Sequence, residues 1–189
     1  EGALEMGTRV VDLTSDHRLG SGREDRAVYG LTEWAESELP GARLVANPGC
    51  YPSGGLLALR PLVEAELVDE SRPVVLHAAS GVTGAGRSPR AELLFAEVYG
   101  DFKAYGLGNV HRHLKEMRAF LPTLDLLFVP HLLPVPRGIL STLAVPVRAG
   151  VDARRIREVW EARYPASGGV RVSLEAPPLS WVTHTDLTF

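Results

Sequence analysis

The run ANPGCYPSGGLLAL, residues 46–59, turns a strand into a helix and sets the single cysteine of the chain at the change-over. Asn47-Pro48-Gly49 has the composition of a turn. Pro52 suits a first helical turn, where a missing N–H costs nothing, and the apolar residues from Leu56 onward supply a buried helical face. Cys50 is therefore expected just before a helix N-terminus. The open amides and the positive dipole end at such a place favour a thiolate over a thiol. A lone cysteine is more often an inert packing residue. Packing, however, asks for neither a turn nor a helix start around it, so the pattern points to a nucleophile.

Upstream, Thr8–Thr14 (TRVVDLT) is an apolar run that reads as a buried parallel strand with Ser15-Asp16-His17-Arg18 at its carboxyl end. Ligands of open α/β sheets gather outside such ends, which makes Asp16 and Arg18 site candidates, with a solvated salt bridge as the plain alternative. Thr32 is placed to cap a short helix carrying Glu33 and Glu36 in its first turn, with Tyr29 and Gly30 as turn and packing residues. Ala42–Ala46 is a further short strand that delivers the chain to Cys50.

Downstream, Arg72–Ser80 reads as a strand running into GVTGAGR, residues 81–87. A glycine-rich loop there lets backbone amides approach an anion or a flat ring, and Arg87 adds a charge at its end. No GxGxxG run opens a helix in these residues, so the loop is not a dinucleotide fingerprint. His77, inside the strand, reads as a core histidine. GLGNVHRHLKEMRAFL, residues 106–121, places His111 and His113 two apart as a helix begins, a spacing at which helical side chains diverge, so one imidazole is expected to face the thiol. Metal is not expected, since a helical zinc pair wants four-residue spacing. Glu116 can cap the helix start or orient an imidazole. Leu126–Leu133 and Gly138–Val147 read as strands joined by PVPR, with His131 and Arg137 flanking the connection. Asp152 caps an amphipathic helix to about Arg163, and Val170–Glu175 and Trp181–Phe189 read as two last strands. The pattern is α+β: a mixed or antiparallel sheet covered by helices.

With 189 residues, 45% hydrophobic and 23% charged, and a formal charge of -3, the chain has no basic excess to attract nucleic acid. No run approaches the ~18 apolar residues of a membrane span. One cysteine and a start unlike a signal peptide fit a reducing cytoplasm. The first residue is not methionine, which suggests a piece of a larger protein.

ANPGCYPSG, SGVTGAGR, GNVHRHLKE and VPHLLPVPRGIL, in this order and preceded by DLTSDHRL, resemble the N-acetyl-γ-glutamyl-phosphate reductases of arginine biosynthesis, within the aspartate-semialdehyde-dehydrogenase-like superfamily. The resemblance runs to about residue 147. It implies residues 1–48 as the tail of an NADP-binding Rossmann domain and 49–189 as a glyceraldehyde-phosphate-dehydrogenase-like catalytic and dimerisation domain. It also implies a homodimer or homotetramer acting on a small acyl phosphate, with no nucleic acid or membrane partner. By the resemblance Cys50 is the nucleophile and the histidine-pair region supplies the acid/base; of the two rings His113 is placed ahead of His111, because it stands nearer the expected helix start with Glu116 one turn away to hold it. Asn47, Ser80, Gly81, Gly84 and Gly86 lie by the nicotinamide end of NADP, and Arg87, Arg112 and Arg137 meet the substrate's phosphate or carboxylate. The family's run after the second histidine is Thr-Pro-Glu-like, whereas Leu114-Lys115-Glu116 stands here. This stretch alone is expected to be inactive and to bind NADP weakly. The longer aminoadipyl phosphate of lysine biosynthesis, a non-catalytic domain of the same fold, and a cysteine hydrolase stand as alternatives.

Overall fold

The computed structural model describes residues 2–19, 27–86, 88 and 90–189. They form two compact units, Glu1–Ser53 and Gly54–Phe189.

In the first unit, helix α1 (Gly2–Glu5) precedes strands β1 (Val10–Asp12), β2 (Val28–Tyr29) and β3 (Leu44–Ala46), with helix α2 (Thr32–Ala35) between β2 and β3. The strands pair parallel in the order β1-β3-β2. The central strand is the buried one, with Leu44 4% and Ala46 0% exposed. The expectation of a buried strand at Thr8–Thr14 holds only for its direction: β1 is an edge strand, and Val11 and Leu13 on it and just after it are exposed. Thr32 does not cap α2. Leu31 takes the cap position, with no side-chain bond, and Thr32 is the first helical residue. Gly30 is a packing glycine, since a Cβ there would stand 2.7 Å from Val45 Cγ1. Arg9 ties the approach to β3, its guanidinium donating to the carbonyls of Ala42 (3.0 Å), Leu39 (2.9 Å) and Pro40 (2.7 Å).

Helix α3 (Cys50–Glu64) starts in the first unit and runs on into the second. There follow β4 (Val74–Gly81), α4 (Phe95–Val98), β5 (Lys103–Ala104), α5 (Arg112–Phe120), β6 (Leu126–Leu133), β7 (Ile139–Ala144) and α6 (Ala153–Arg163). The sheet order is β5-β6-β4-β7, with β4 and β6 parallel and the outer pairs antiparallel, so the mixed α+β sheet is present. Its period-two pattern puts Leu76, Ala78, Leu126 and Phe128, each 1% exposed, on the covered face. Leu56, Leu59 and Leu62 of α3 and Leu114 and Met117 of α5, all at most 2% exposed, complete this core. The helices approach closely at Gly55, where a Cβ would lie 2.9 Å from Met117 Sδ and 3.4 Å from Leu76 Cδ2. His77 takes the opposite face and is exposed, which corrects its reading as a core histidine. The register at β4 decides this, because 77 alternates with the buried 76 and 78.

Pro61 lies inside α3 and cannot donate to the carbonyl of Leu57, four residues back. The hydroxyl of buried Tyr164, just past α6, donates to that carbonyl at 2.6 Å, and Trp160 Nε1 donates to Ala58 O at 3.0 Å. Tyr164→Phe is expected to cost about 1–3 kcal/mol, the usual result of leaving a buried carbonyl unsatisfied. Denaturant unfolding checks this, and adding Pro61→Ala to the Tyr164→Phe variant should restore part of the loss. A neutral Tyr164→Phe would contradict it.

Asp152 caps α6 as expected, accepting from Arg155 N at 2.8 Å. The two last strands do not form. Val170 and Thr188 meet in a single parallel bridge, and Trp181 lies in a 3-10 turn, Leu179–Trp181, that follows Pro177-Pro178. Pro177 and Pro178 fix φ between the two expected strands, and Pro178 caps the 3-10 turn that the chain enters directly after them.

Candidate active site

In the first unit the thiol is presented by the turn that leaves β3. Asn47 N donates to Asp12 O at 2.8 Å, and the Asn47 amide donates to Pro48 O at 3.1 Å. Gly49 O then accepts both Ser53 N (2.9 Å) and Ser53 Oγ (3.0 Å), which makes Gly49 the cap residue. Cys50 is thus the first residue inside α3, one position further in than expected. It is exposed while Pro48, Gly49, Tyr51 and Pro52 around it are buried. The result is an accessible thiol on a fixed backbone at a helix N-terminus. Nearby in this unit, the Asp12 carboxylate accepts Thr14 N (2.9 Å) and Thr14 Oγ1 (2.8 Å). The bond from Thr14 N, and more weakly the charges of His17 and Arg18, hold it below the usual carboxylate range. Arg18 is buried at 9% exposure and donates to Leu13 O at 3.0 Å, whereas Asp16 is exposed.

In the second unit two clusters stand out. The first joins the end of β4 to the PVPR connection. Gly81 N donates to Gly138 O (3.0 Å), Val82 N to Val135 O (2.9 Å) and Thr83 N to Pro136 O (3.2 Å). A Cβ on Gly81 would lie 2.7 Å from both Arg137 N and Val135 O, so only glycine allows this approach. The glycine-rich segment is a 3-10 turn, Val82–Ala85, rather than an open loop. Ser80 is buried, and Gly84, Gly86 and Arg137 are exposed. Arg87 lies outside the described residues.

The second cluster surrounds the start of α5. His111 is its cap residue, and its Nδ1 accepts from His113 N at 3.2 Å. The two rings meet edge to face at 4.9 Å, so the expected divergence of His111 and His113 is corrected: it applies inside a helix, and His111, at φ -66° and ψ 131°, precedes it. His111 also meets Tyr105 at 5.6 Å and Phe128 at 5.3 Å. Glu116 does not cap the helix. It is 4% exposed, one turn beyond His113, which is 6% exposed. Arg112 is the exposed first helical residue. His131 is elsewhere: on the sheet face opposite Phe128, it stacks on Phe102 at 5.1 Å and meets His77 at 5.9 Å. Asn109 fastens the loop before α5 to β6 at Leu126 and Phe128, and the Gly108-Asn109 pair, able to take a left-handed turn, is its only mark in the sequence. Among the described residues no group of His, Cys, Asp or Glu could hold a metal ion, and no helix is long and apolar enough to cross a membrane.

Burial, and secondarily the charge of Arg112, lower the pKa of His111 below its ordinary 6.5. The neutral ring is therefore favoured in the folded state, and only that ring accepts through Nδ1. The stability it contributes is present above about pH 6.5 and is lost as the pH falls through the lowered folded value. Acidification is expected to cost the cap, about 1 kcal/mol, and to speed amide exchange at His113. His111→Asn, a non-titrating cap, should remove that acid sensitivity in hydrogen exchange followed against pH.

A family profile described as "Semialdehyde dehydrogenase, dimerisation domain" matches residues 50–188. The N-acetyl-gamma-glutamyl-phosphate reductase of Geotalea daltonii is 40% identical over 188 residues, covering 89% of this chain and 54% of the relative. That of Dehalococcoides mccartyi is 34% identical over 209 residues, covering 98% and 60%. The chain thus spans little more than half the length of the curated relatives it matches. In fold it is similar to aspartate semialdehyde dehydrogenase II from Vibrio cholerae, with TM-score 0.67 and 18% identity over 94% of this chain and 59% of that one. On these grounds the chain belongs to the semialdehyde dehydrogenase family, of which it carries the dimerisation domain.

Proposed function

We propose that the protein reduces N-acetyl-γ-glutamyl phosphate to the semialdehyde with NADPH, in arginine biosynthesis, through a thioester on Cys50. The observation that carries this reading is an exposed thiol at the first residue of α3, in a chain 40% identical to a reductase of that name. We take residues 1–48 as the end of an NADP-binding Rossmann domain and 49–189 as the catalytic and dimerisation domain.

The thiolate attacks the acyl carbon, the C–O bond to phosphate breaks and inorganic phosphate leaves. NADPH, when bound, supplies hydride to the thioester carbon. The resulting thiohemiacetal oxygen takes a proton and returns it as the C–S bond breaks, which frees the aldehyde and regenerates the thiolate. We assign that proton to His113, with the buried Glu116 one turn away as its carboxylate neighbour along α5, and give Arg112 and Arg137 the substrate's anionic groups. Arg87, at the end of the glycine-rich run, is proposed for the same task. Asn47, Ser80 and Gly81 would frame the nicotinamide end of the cofactor. Gly86, at φ +92° with open space where a Cβ would stand, and Gly84, where a Cβ would meet only Ser80 Oγ at 3.8 Å, leave room for a flat ring against the backbone.

The protein is proposed to act as a homo-oligomer. The outer face of the four-stranded sheet carries Val75, His77, Leu127, Val129, Leu140 and Thr142 and no charged strand residue, so two copies can meet there without like-charge repulsion. A thiol nucleophile fits the reducing cytoplasm. The reverse assay tests the activity. The full-length protein given N-acetylglutamate semialdehyde, phosphate and NADP should form NADPH, whereas a cysteine hydrolase or a non-catalytic domain would form none. Running the assay also with the aminoadipate semialdehyde sets the substrate's length, where one methylene is worth only ~1–3 kcal/mol.

A further inference from the structure

We propose that Asn109 is a positioning residue for the imidazoles of His111 and His113, an assignment that rests on the reductase reading above. Asn109 sits at φ +61°, a left-handed conformation that asparagine tolerates better than other residues with a side chain. Its amide is spent on the edge of β6. Nδ2 donates to Leu126 O at 3.2 Å, and Oδ1 accepts from Phe128 N at 2.9 Å. Further along the same edge Pro130 O accepts from Tyr105 N at 3.0 Å, next to β5. The primary amide therefore stands where the peptide group of a neighbouring strand would stand, and offers the same donor and acceptor.

The clamp fixes where the chain is two residues later. His111 then meets edge-on, at 5.3 Å, the ring of the same Phe128 whose N–H the clamp holds, and its Nδ1 accepts from His113 N. An accepting Nδ1 leaves the proton of the neutral ring on Nε2, so the clamp sets tautomer as well as position. Among the described residues, the ionisable groups that face His111 include Arg112 beside it, His113 on α5 and the Tyr105 ring before the loop. Arg118 Nη2, from the last turn of α5, reaches the same Leu126 carbonyl at 3.4 Å, so both ends of α5 are tied to one strand position. No other side chain serves equally. Aspartate keeps the acceptor for Phe128 N but sets a carboxylate against Leu126 O, and glycine keeps the backbone turn without the clamp.

Asn109→Gly in the full-length protein separates the two tasks, since it retains the left-handed turn. Turnover should fall on the order of 10²-fold, the cost of a misplacement of about 1 Å, with little change in KM. Histidine side-chain NMR of the same variant should show His111 titrating nearer its ordinary value. Asn109→Asp, as a second variant, should lose turnover with the fold and the KM retained. Wild-type turnover with an unmoved His111 titration in both variants would overturn the proposal. If the wild-type protein has no reductase activity, the reading of the reaction fails; the NMR comparison then still decides the clamp, and an unmoved His111 there overturns it.

Discussion

Cys50→Ser in the full-length protein is expected to abolish NADPH-dependent turnover, by on the order of 10⁴–10⁶-fold, as loss of a covalent nucleophile does in other enzymes. A serine hydroxyl at this position keeps the size and exposure of the side chain but is almost wholly protonated at neutral pH. The helix start that stabilises a thiolate cannot bring an alcohol to an alkoxide. Since Cys50 is exposed and packs no core, the variant should unfold at the same denaturant concentration as the wild type. Turnover measured beside unfolding checks both halves. Residual activity above a few per cent would move the nucleophile elsewhere, and lost stability would return Cys50 to a packing role.

The second large effect concerns the histidines. His113→Asn is expected to lower kcat by ~10²–10⁴-fold with little change in KM, the signature of a general acid needed only in the transition state. His111→Asn should act mainly on KM, because asparagine replaces the cap that His111 provides by accepting from His113 N. His113 and Glu116 are both buried, so the pair is shielded from water in a way that Arg112 between the two histidines is not. Steady-state kinetics of both variants decide the assignment. The reverse pattern would exchange the roles of the two rings. Loss in neither would leave the acid elsewhere, and His131, on the other face of the sheet, would be the next to replace.

The start of α3 was legible because three local signals agree there: a turn-forming Asn-Pro-Gly, a proline at a position that needs no N–H, and an apolar run after it. The long strands β4, β6 and β7 were legible for a similar reason, as continuous apolar runs between turn residues. What escaped depends on partners distant in sequence. Tyr164 serves the carbonyl of Leu57 that Pro61 cannot reach, and nothing near position 164 announces it. Asn109 reads as loop until the edge of β6 is beside it. Helical spacing makes His111 and His113 diverge only inside a helix, whereas His111 is a cap residue in extended conformation whose side chain turns back over the first turn. His77 looked like core because a strand's face cannot be chosen from a run of small apolar residues. The strands expected after Val170 gave way to a single bridge and to a 3-10 turn that Pro178 caps.

The central claim is a thioester on Cys50, and mass spectrometry of the full-length protein mixed with N-acetyl-γ-glutamyl phosphate in the absence of NADPH tests it most directly. The account predicts release of one phosphate per active site and an acyl adduct confined to the peptide containing Cys50, removed by hydroxylamine and discharged when NADPH is added. Phosphate release with no adduct on that peptide, or an adduct on another residue, would contradict it.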